Sequence, residues 1–136
     1  MRSRTIARLD LLAAEREARL VDAIGRYGGT LQQSAQQAEM LDAYRTRLAA
    51  SWQDGALLPA GQASRASQFA VGAEGAKAQI ARAAAQTQTQ LQAAADALAE
   101  LTSHRRKLAE KLRDAARVNE VAAEQKAERA QPWRRA

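Results

Sequence analysis

The feature that most constrains this chain is a spacing of three and four residues between small or apolar side chains. In the first half the spacing runs from Ile6 to Trp52, and in the second half from Phe69 to Ala122. Its average is close to 3.5 residues, the repeat of a coiled coil. Between the two stretches, the segment 53–64 contains Asp-Gly and Pro-Ala-Gly turns and is the only strong interior loop signal. The sequence therefore predicts two long helices.

Two long helices joined by one short loop bury their apolar sides by folding back on each other. We therefore expect an all-α fold: a long two-helix antiparallel coiled-coil hairpin, in one domain that covers residues 1–136. Pro132 is expected to end the second helix, because proline cannot continue the helical hydrogen bonds. The expected boundaries are about 4–52 for helix one, about 53–65 for the loop and about 66–130 for helix two.

Helix two is expected to be longer than helix one. Pairing outward from the loop puts Trp52 near Phe69 and the first arginines opposite about Ala115. Roughly the last fifteen residues of helix two then overhang without a partner helix, and a lone helix is marginal in water. Such an overhang invites a protein partner. Its apolar side chains are expected to be Leu108, Leu112, Val118 and Val121.

Composition agrees with packed helices rather than with a compact globule. Hydrophobic residues make up 46% of the chain but aromatic residues only 4%, so alanine supplies most of the apolar content and any core is thin. The chain has no cysteine, which excludes disulfides and thiolate chemistry and fits a reducing cytoplasm.

The sequence predicts neither a signal peptide nor a membrane-spanning segment. The apolar run at 11–14 is too short for a signal peptide, and the uncharged run at 83–95 is interrupted by Gln and Thr. A soluble protein is expected.

The net charge of +6 is concentrated at the two ends of the chain. Residues 1–20 hold five arginines against three acidic residues, and residues 100–136 hold ten basic against six acidic residues. Residues 21–99 are balanced, with six of each sign. In an antiparallel hairpin both chain ends share one tip, so the excess positive charge is expected to lie there.

No set of residues predicts catalysis. His104 is the only histidine and has Glu100 as its sole acidic neighbour one turn before it, so a paired or solvated histidine is expected rather than a metal ligand. The glycine-containing segment 25–30 lacks the Lys-Ser/Thr pair of a phosphate-binding loop, and no predicted strand precedes it. We expect no enzyme activity, cofactor, metal or small-molecule substrate.

Three glycines raise the question of a break inside helix one. Gly28 and Gly29 can end a helix, and Thr30 with Gln33 matches a capping box for a new one. Against a break, the apolar spacing passes through Gly25–Gly29 without losing phase. We expect one continuous helix, with close approach to the alanine-rich segment opposite and a flexible point at the glycines.

Three segments resemble the FliJ family of flagellar type III export proteins. The end of helix one, LDAYRTRLAASW at 41–52, and the start of helix two, ASQFAVGAEGAKAQI at 66–80, are similar to the corresponding parts of that family. The basic, glutamate-interleaved segment RRKLAEKLRDAARVNEVAAEQKAERA at 105–130 fits as well. Stalk proteins of virulence type III systems are equally similar, so the resemblance covers both.

The resemblance implies a hairpin that acts as a stalk and adaptor in the cytoplasm, peripheral to the inner membrane. Its terminal tip would enter the central hole of a hexameric export ATPase, and the start of helix two would contact the membrane-embedded export gate. Export chaperones are further candidate partners. The implied gate-binding residues are Phe69, Ala73, Ala76 and Ile80. The implied ring-binding residues of the basic tip are Arg2, Arg4, Arg8, Arg105, Arg106, Lys107, Lys111, Arg113 and Arg117.

Other interpretations of the same residues stay open. Phe69 could instead close the hairpin against Trp52. The basic tip could bind nucleic acid, although interleaved glutamates three and four residues away are more typical of a salt-bridged, solvated helix face. A third possibility is a structural hairpin whose overhang associates with itself.

Overall fold

A computed structural model describes residues 3–53 and 60–130, excepting the side chains of residues 52, 53, 60, 62 and 63. The chain folds into two helices, α1 (Ser3–Gln53) and α2 (Ala60–Ala130), which pack against each other as an all-α helical hairpin. This confirms the expected fold class. Within the described ranges, neither helix contains an apolar run long enough to cross a bilayer.

Helix α1 is continuous through the three glycines, as the unbroken apolar spacing predicts. The hydroxyl of Thr30 donates a hydrogen bond to the carbonyl oxygen of Arg26 at 3.0 Å, the bond of a threonine inside a helix rather than of a helix cap. The expected close approach is wrong. A Cβ atom added at Gly25, Gly28 or Gly29 would meet nothing within 4 Å, so these glycines face open space.

Helix α2 begins at Ala60, earlier than the expected start at about residue 66. Pro59 directly precedes it in the sequence, and proline is compatible with a helix start because its missing N–H is not needed there. Only Gly61 opposes helix formation in the next few residues, so the helix can begin here rather than at about residue 66. The helix ends at Ala130, two residues before Pro132, as expected.

The segment Gln86–Gln90 alternates Gln and Thr in a pattern compatible with a strand, but it is helical. The hydroxyls of Thr87 and Thr89 donate to the carbonyl oxygens of Ala83 and Ala85 at 3.0 and 3.1 Å, which satisfies both hydroxyls within the helix.

Contacts group the chain into two compact units, each containing a segment of both helices. In the unit formed by residues 23–94, Ala73 and Ala94 are buried. The Nζ of Lys77 lies 2.7 Å from Oδ1 of Asp42, and Arg45 pairs with Glu74. Partner numbers fall on α2 as they rise on α1, so the helices of this unit run antiparallel.

The other unit comprises residues 1–22 and 95–136, of which 3–22 and 95–130 are described. Its buried side chains are Ile6, Ala13 and Leu108. Leu108, only 3% exposed, therefore belongs to the core of the hairpin, and its assignment to a partnerless overhang is wrong. Alanines form three of the five buried hydrophobic residues in the described chain, so the core is as thin as the composition predicts.

Candidate functional site

The last residues of α2 are not buried by any other described part of the chain. Every residue from 116 to 130 is exposed, and we call this range the distal segment. Val118 and Val121 are 67% and 52% exposed, large fractions for apolar side chains. They line an open, shallow depression together with Arg117, Ala122 and Gln125. An unpaired helix with exposed valines one turn apart is a candidate protein-binding surface.

Six of the predicted ring-binding cations are exposed in the same unit and form no ion pair with any described residue. Their side chains are therefore available to an anionic partner. These residues are Arg4, Arg8, Arg106, Lys107, Lys111 and Arg113. Arg2, also predicted for this tip, lies outside the described residues.

Arg105 has a different role from these cations. It is half-buried at the helix interface, where its Nε lies 3.0 Å from Oδ1 of Asp10 and its Nη1 lies 2.6 Å from Oε2 of Glu17. Hydrogen bonds from the guanidinium to Asp10 and then to Glu17 raise the pKa of Arg105 above its already high ordinary value. Because both its bonds go to α1, Arg105 fixes how the two helices align in this unit.

Arg117 is also engaged, since its Nη2 lies 2.9 Å from Oδ1 of Asp114 three residues earlier. This is one of the local pairs that the interleaved glutamates and aspartates predict. Both side chains are largely exposed, so the pair contributes little to stability. A partner could therefore displace it at small cost.

The residues predicted to contact an export gate are only partly accessible. Phe69 is 37% exposed, Ala76 and Ile80 are half-buried, and Ala73 is buried at 4% exposure. Because Ala73 is buried, its methyl group is not available to a partner. Any contact of this surface with a partner would therefore depend on Phe69 rather than on Ala73.

In the described chain the ring of Phe69 packs against that of Tyr44, a contact that the sequence did not predict. The two ring centroids are 4.9 Å apart with planes tilted by 53°, a favourable arrangement for aromatic rings. The predicted contact between Phe69 and Trp52 lies outside the described side chains. Beside the ring pair is a cleft of about 130 Å³, lined by Arg45, Leu48, Ala49, Ala66, Phe69 and Ala70.

A metal site would need several ligands close together. Among residues 3–53 and 60–130, no three His, Asp or Glu side chains are arranged to hold a metal ion. Comparison of the chain with protein-family models, with curated proteins and with solved structures gave no match. The observations on this chain are therefore its fold, a helical hairpin, and two exposed surfaces: the distal segment with the cations of its unit, and the surface around Phe69.

Proposed function

We propose that this chain is a non-enzymatic stalk and adaptor of a flagellar type III export apparatus. In this role the unit that comprises residues 1–22 and 95–136, which we call the terminal unit, binds a hexameric export ATPase, and the start of α2 contacts a membrane-embedded export gate. The protein would then act in the cytoplasm at the inner membrane and contribute to protein export and flagellum assembly. The resemblance to the FliJ family motivates the proposal, and a virulence-type export system stays open as its setting.

The main support for this proposal is that the distal segment of α2 extends beyond α1, so that all of its residues are exposed. In the same unit, Arg4, Arg8, Lys107 and Lys111 have no ion pair with described residues. Exposed cations steer encounter with an acidic surface, and exposed valines supply apolar contact once the partner is reached. A narrow helical tip with these properties suits insertion into a ring lined by acidic residues.

The proposal is tested by titrating the chain onto a purified hexameric export ATPase and measuring ATP turnover. Turnover should rise and level off at about one chain per ring, as expected for a single axial binder. A ring whose turnover stays unchanged, and that does not co-purify with the chain, would contradict the proposal.

A matched pair of variants locates the binding surface. Val118→Ser removes an exposed valine from the distal segment, and Val71→Ser removes a similarly exposed valine from the other unit. Both side chains lie in solvent, so neither change should lower the melting temperature appreciably. Val118→Ser should weaken ring stimulation while Val71→Ser leaves it unchanged. Equal effects of the two changes would place binding elsewhere.

Nucleic acid is the second candidate partner for the unpaired cations. Phosphate binding should give an affinity that falls steeply with salt. A gel shift with that dependence, together with no effect on the ATPase, would favour this alternative.

A further inference from the structure

The terminal unit has two apolar surfaces that no described residue covers. One is the distal segment, with Val118 and Val121 more than half exposed. The other lies on the outer side of α1, where Leu11 and Leu12 are 61% and 56% exposed. Adjacent exposed leucines, and valines one turn apart, leave apolar area in water that association would bury.

Charges around Leu12 are mainly positive. Arg8 and Arg16 lie four residues to either side and Arg19 seven residues after it, so these side chains share one face of α1. We call Arg8, Leu12, Arg16 and Arg19 the α1 basic face. Its arginines form no ion pair with described residues, and the acidic residues beside them are Glu15 and Asp22. The face therefore keeps a net positive charge.

Two glutamates of the distal segment lie next to Val121, although the segment as a whole is neutral because Arg117, Lys126 and Arg129 balance its three glutamates. Glu120 and Glu124 lie one turn apart, and Val121 lies between them in the sequence. Both glutamates are exposed. We propose that the distal segment of one copy of this chain packs on the α1 basic face of a second copy. The distal segment of each copy would pack on the α1 basic face of the other, so that the dimer has two equivalent contacts and two-fold symmetry.

The lengths of the two surfaces match. At 1.5 Å per residue, the distal segment spans about 22 Å and the part of α1 from Arg4 to Arg19 spans about 24 Å. Because α1 and α2 form a hairpin, two copies that meet at this end would have the distal segment of one parallel to α1 of the other. Val121 can then lie near Leu12, with Glu120 and Glu124 near the arginines.

The contact area predicts a weak dimer. Two contacts, each with two faces about 22 Å long and about 10 Å wide, bury about 900 Å² in total. Stable interfaces bury roughly 1,200–2,000 Å² and smaller ones are typical of weak, transient complexes, so we take a dissociation constant on the order of 10–100 µM as the expected range. Because exposed charges contribute, the dimer should weaken as salt rises.

Sedimentation equilibrium of the full chain tests the dimer without any ATPase, so its outcome is independent of the proposed function. The wild-type chain should associate over about 5–500 µM, a range that brackets the expected dissociation constant. Glu124→Arg and Arg16→Glu should each raise that constant about fivefold or more, because each opposes like charges. An equal mixture of the two variants should restore association, because the reversed charges attract again at one of the two contacts.

A control variant separates this contact from a general effect of charge. Glu39→Arg makes the same charge change at an exposed position in the other unit, and it should associate like the wild-type chain. A wild-type chain that stays monomeric throughout the range would overturn the proposal. So would equal weakening by Glu39→Arg and Glu124→Arg, or a mixture that fails to associate.

Cross-linking tests the geometry of the contact. The chain has no cysteine, so Leu12→Cys and Val121→Cys each introduce a single thiol. A short bismaleimide should join these two variants when they are mixed. The matched mixture of Leu12→Cys with Met40→Cys, whose side chain is 72% exposed in the other unit, should remain largely unjoined. Equal yields from both mixtures would contradict the proposed packing.

Discussion

Replacing the three glycines of α1 by alanine should stabilise the protein. Gly25, Gly28 and Gly29 are helical and exposed, and an added Cβ would meet no atom within 4 Å. The substitutions therefore add no clash, and alanine favours a helix by about 0.8–1.0 kcal/mol over glycine at each position. If the three effects add, the free energy of unfolding of this region should rise by about 2.5–3 kcal/mol.

Urea unfolding followed by circular dichroism at 222 nm measures this change. A reference variant, Ala35→Gly, places a new glycine at an exposed position of the same helix and should cost about 0.8–1.0 kcal/mol. Loss of stability on replacing Gly28 and Gly29, with Ala35→Gly behaving as expected, would refute the continuous helix. It would mean that the two glycines adopt a backbone conformation that alanine cannot.

Further changes test the packing within each unit. Leu108→Ala should lower the free energy of unfolding by about 2–4 kcal/mol because Leu108 is buried, whereas Leu112→Ala at 37% exposure should cost less than about 1.5 kcal/mol; urea unfolding ranks the two. Arg105→Met should lower the melting temperature by leaving two acidic side chains without their partner. Folding raises the pKa of Arg105, so the stability that its ion pairs contribute is fully present below the pKa of this side chain in the unfolded chain. The difference in melting temperature between the wild-type chain and Arg105→Met should therefore stay constant between about pH 7 and 11, which thermal melts across that range can check. A double-mutant cycle with Tyr44→Ala and Phe69→Ala should give a coupling free energy of about 0.5–1.5 kcal/mol. A coupling of zero would mean that the contact between the two rings does not stabilise the hairpin.

The sequence predicts the helices well because helix formation and a repeating apolar pattern are local properties. The 3.5-residue spacing identifies α1 through its glycines, and Pro132 identifies the end of α2. Arg105 follows the apolar spacing of the second half, which favours an interface position over the ring-binding tip, but its two acidic partners depend on the alignment of the helices.

The expected alignment of the two helices is close to the observed one. Pairing Trp52 with Phe69 gives nearly the same alignment as the pairs Asp42–Lys77 and Arg45–Glu74, so the earlier start of α2 leaves it unchanged. Ala73 and Leu108 both lie on the apolar spacing, which favours burial, and the errors were to assign them to partner surfaces. The contact of Phe69 with Tyr44 depends on side-chain direction, which the spacing does not give.

Hydrogen–deuterium exchange on the distal segment tests the central claim most directly. In the free chain at about 1 µM, well below the expected dimer dissociation constant, amides of residues 116–130 should exchange quickly, because a helix without tertiary contacts opens readily. Addition of the hexameric export ATPase should slow their exchange by tenfold or more, about 1.4 kcal/mol of protection, and leave residues 23–53 unchanged. Unaltered exchange in 116–130 at saturating ATPase would contradict the role assigned to this segment.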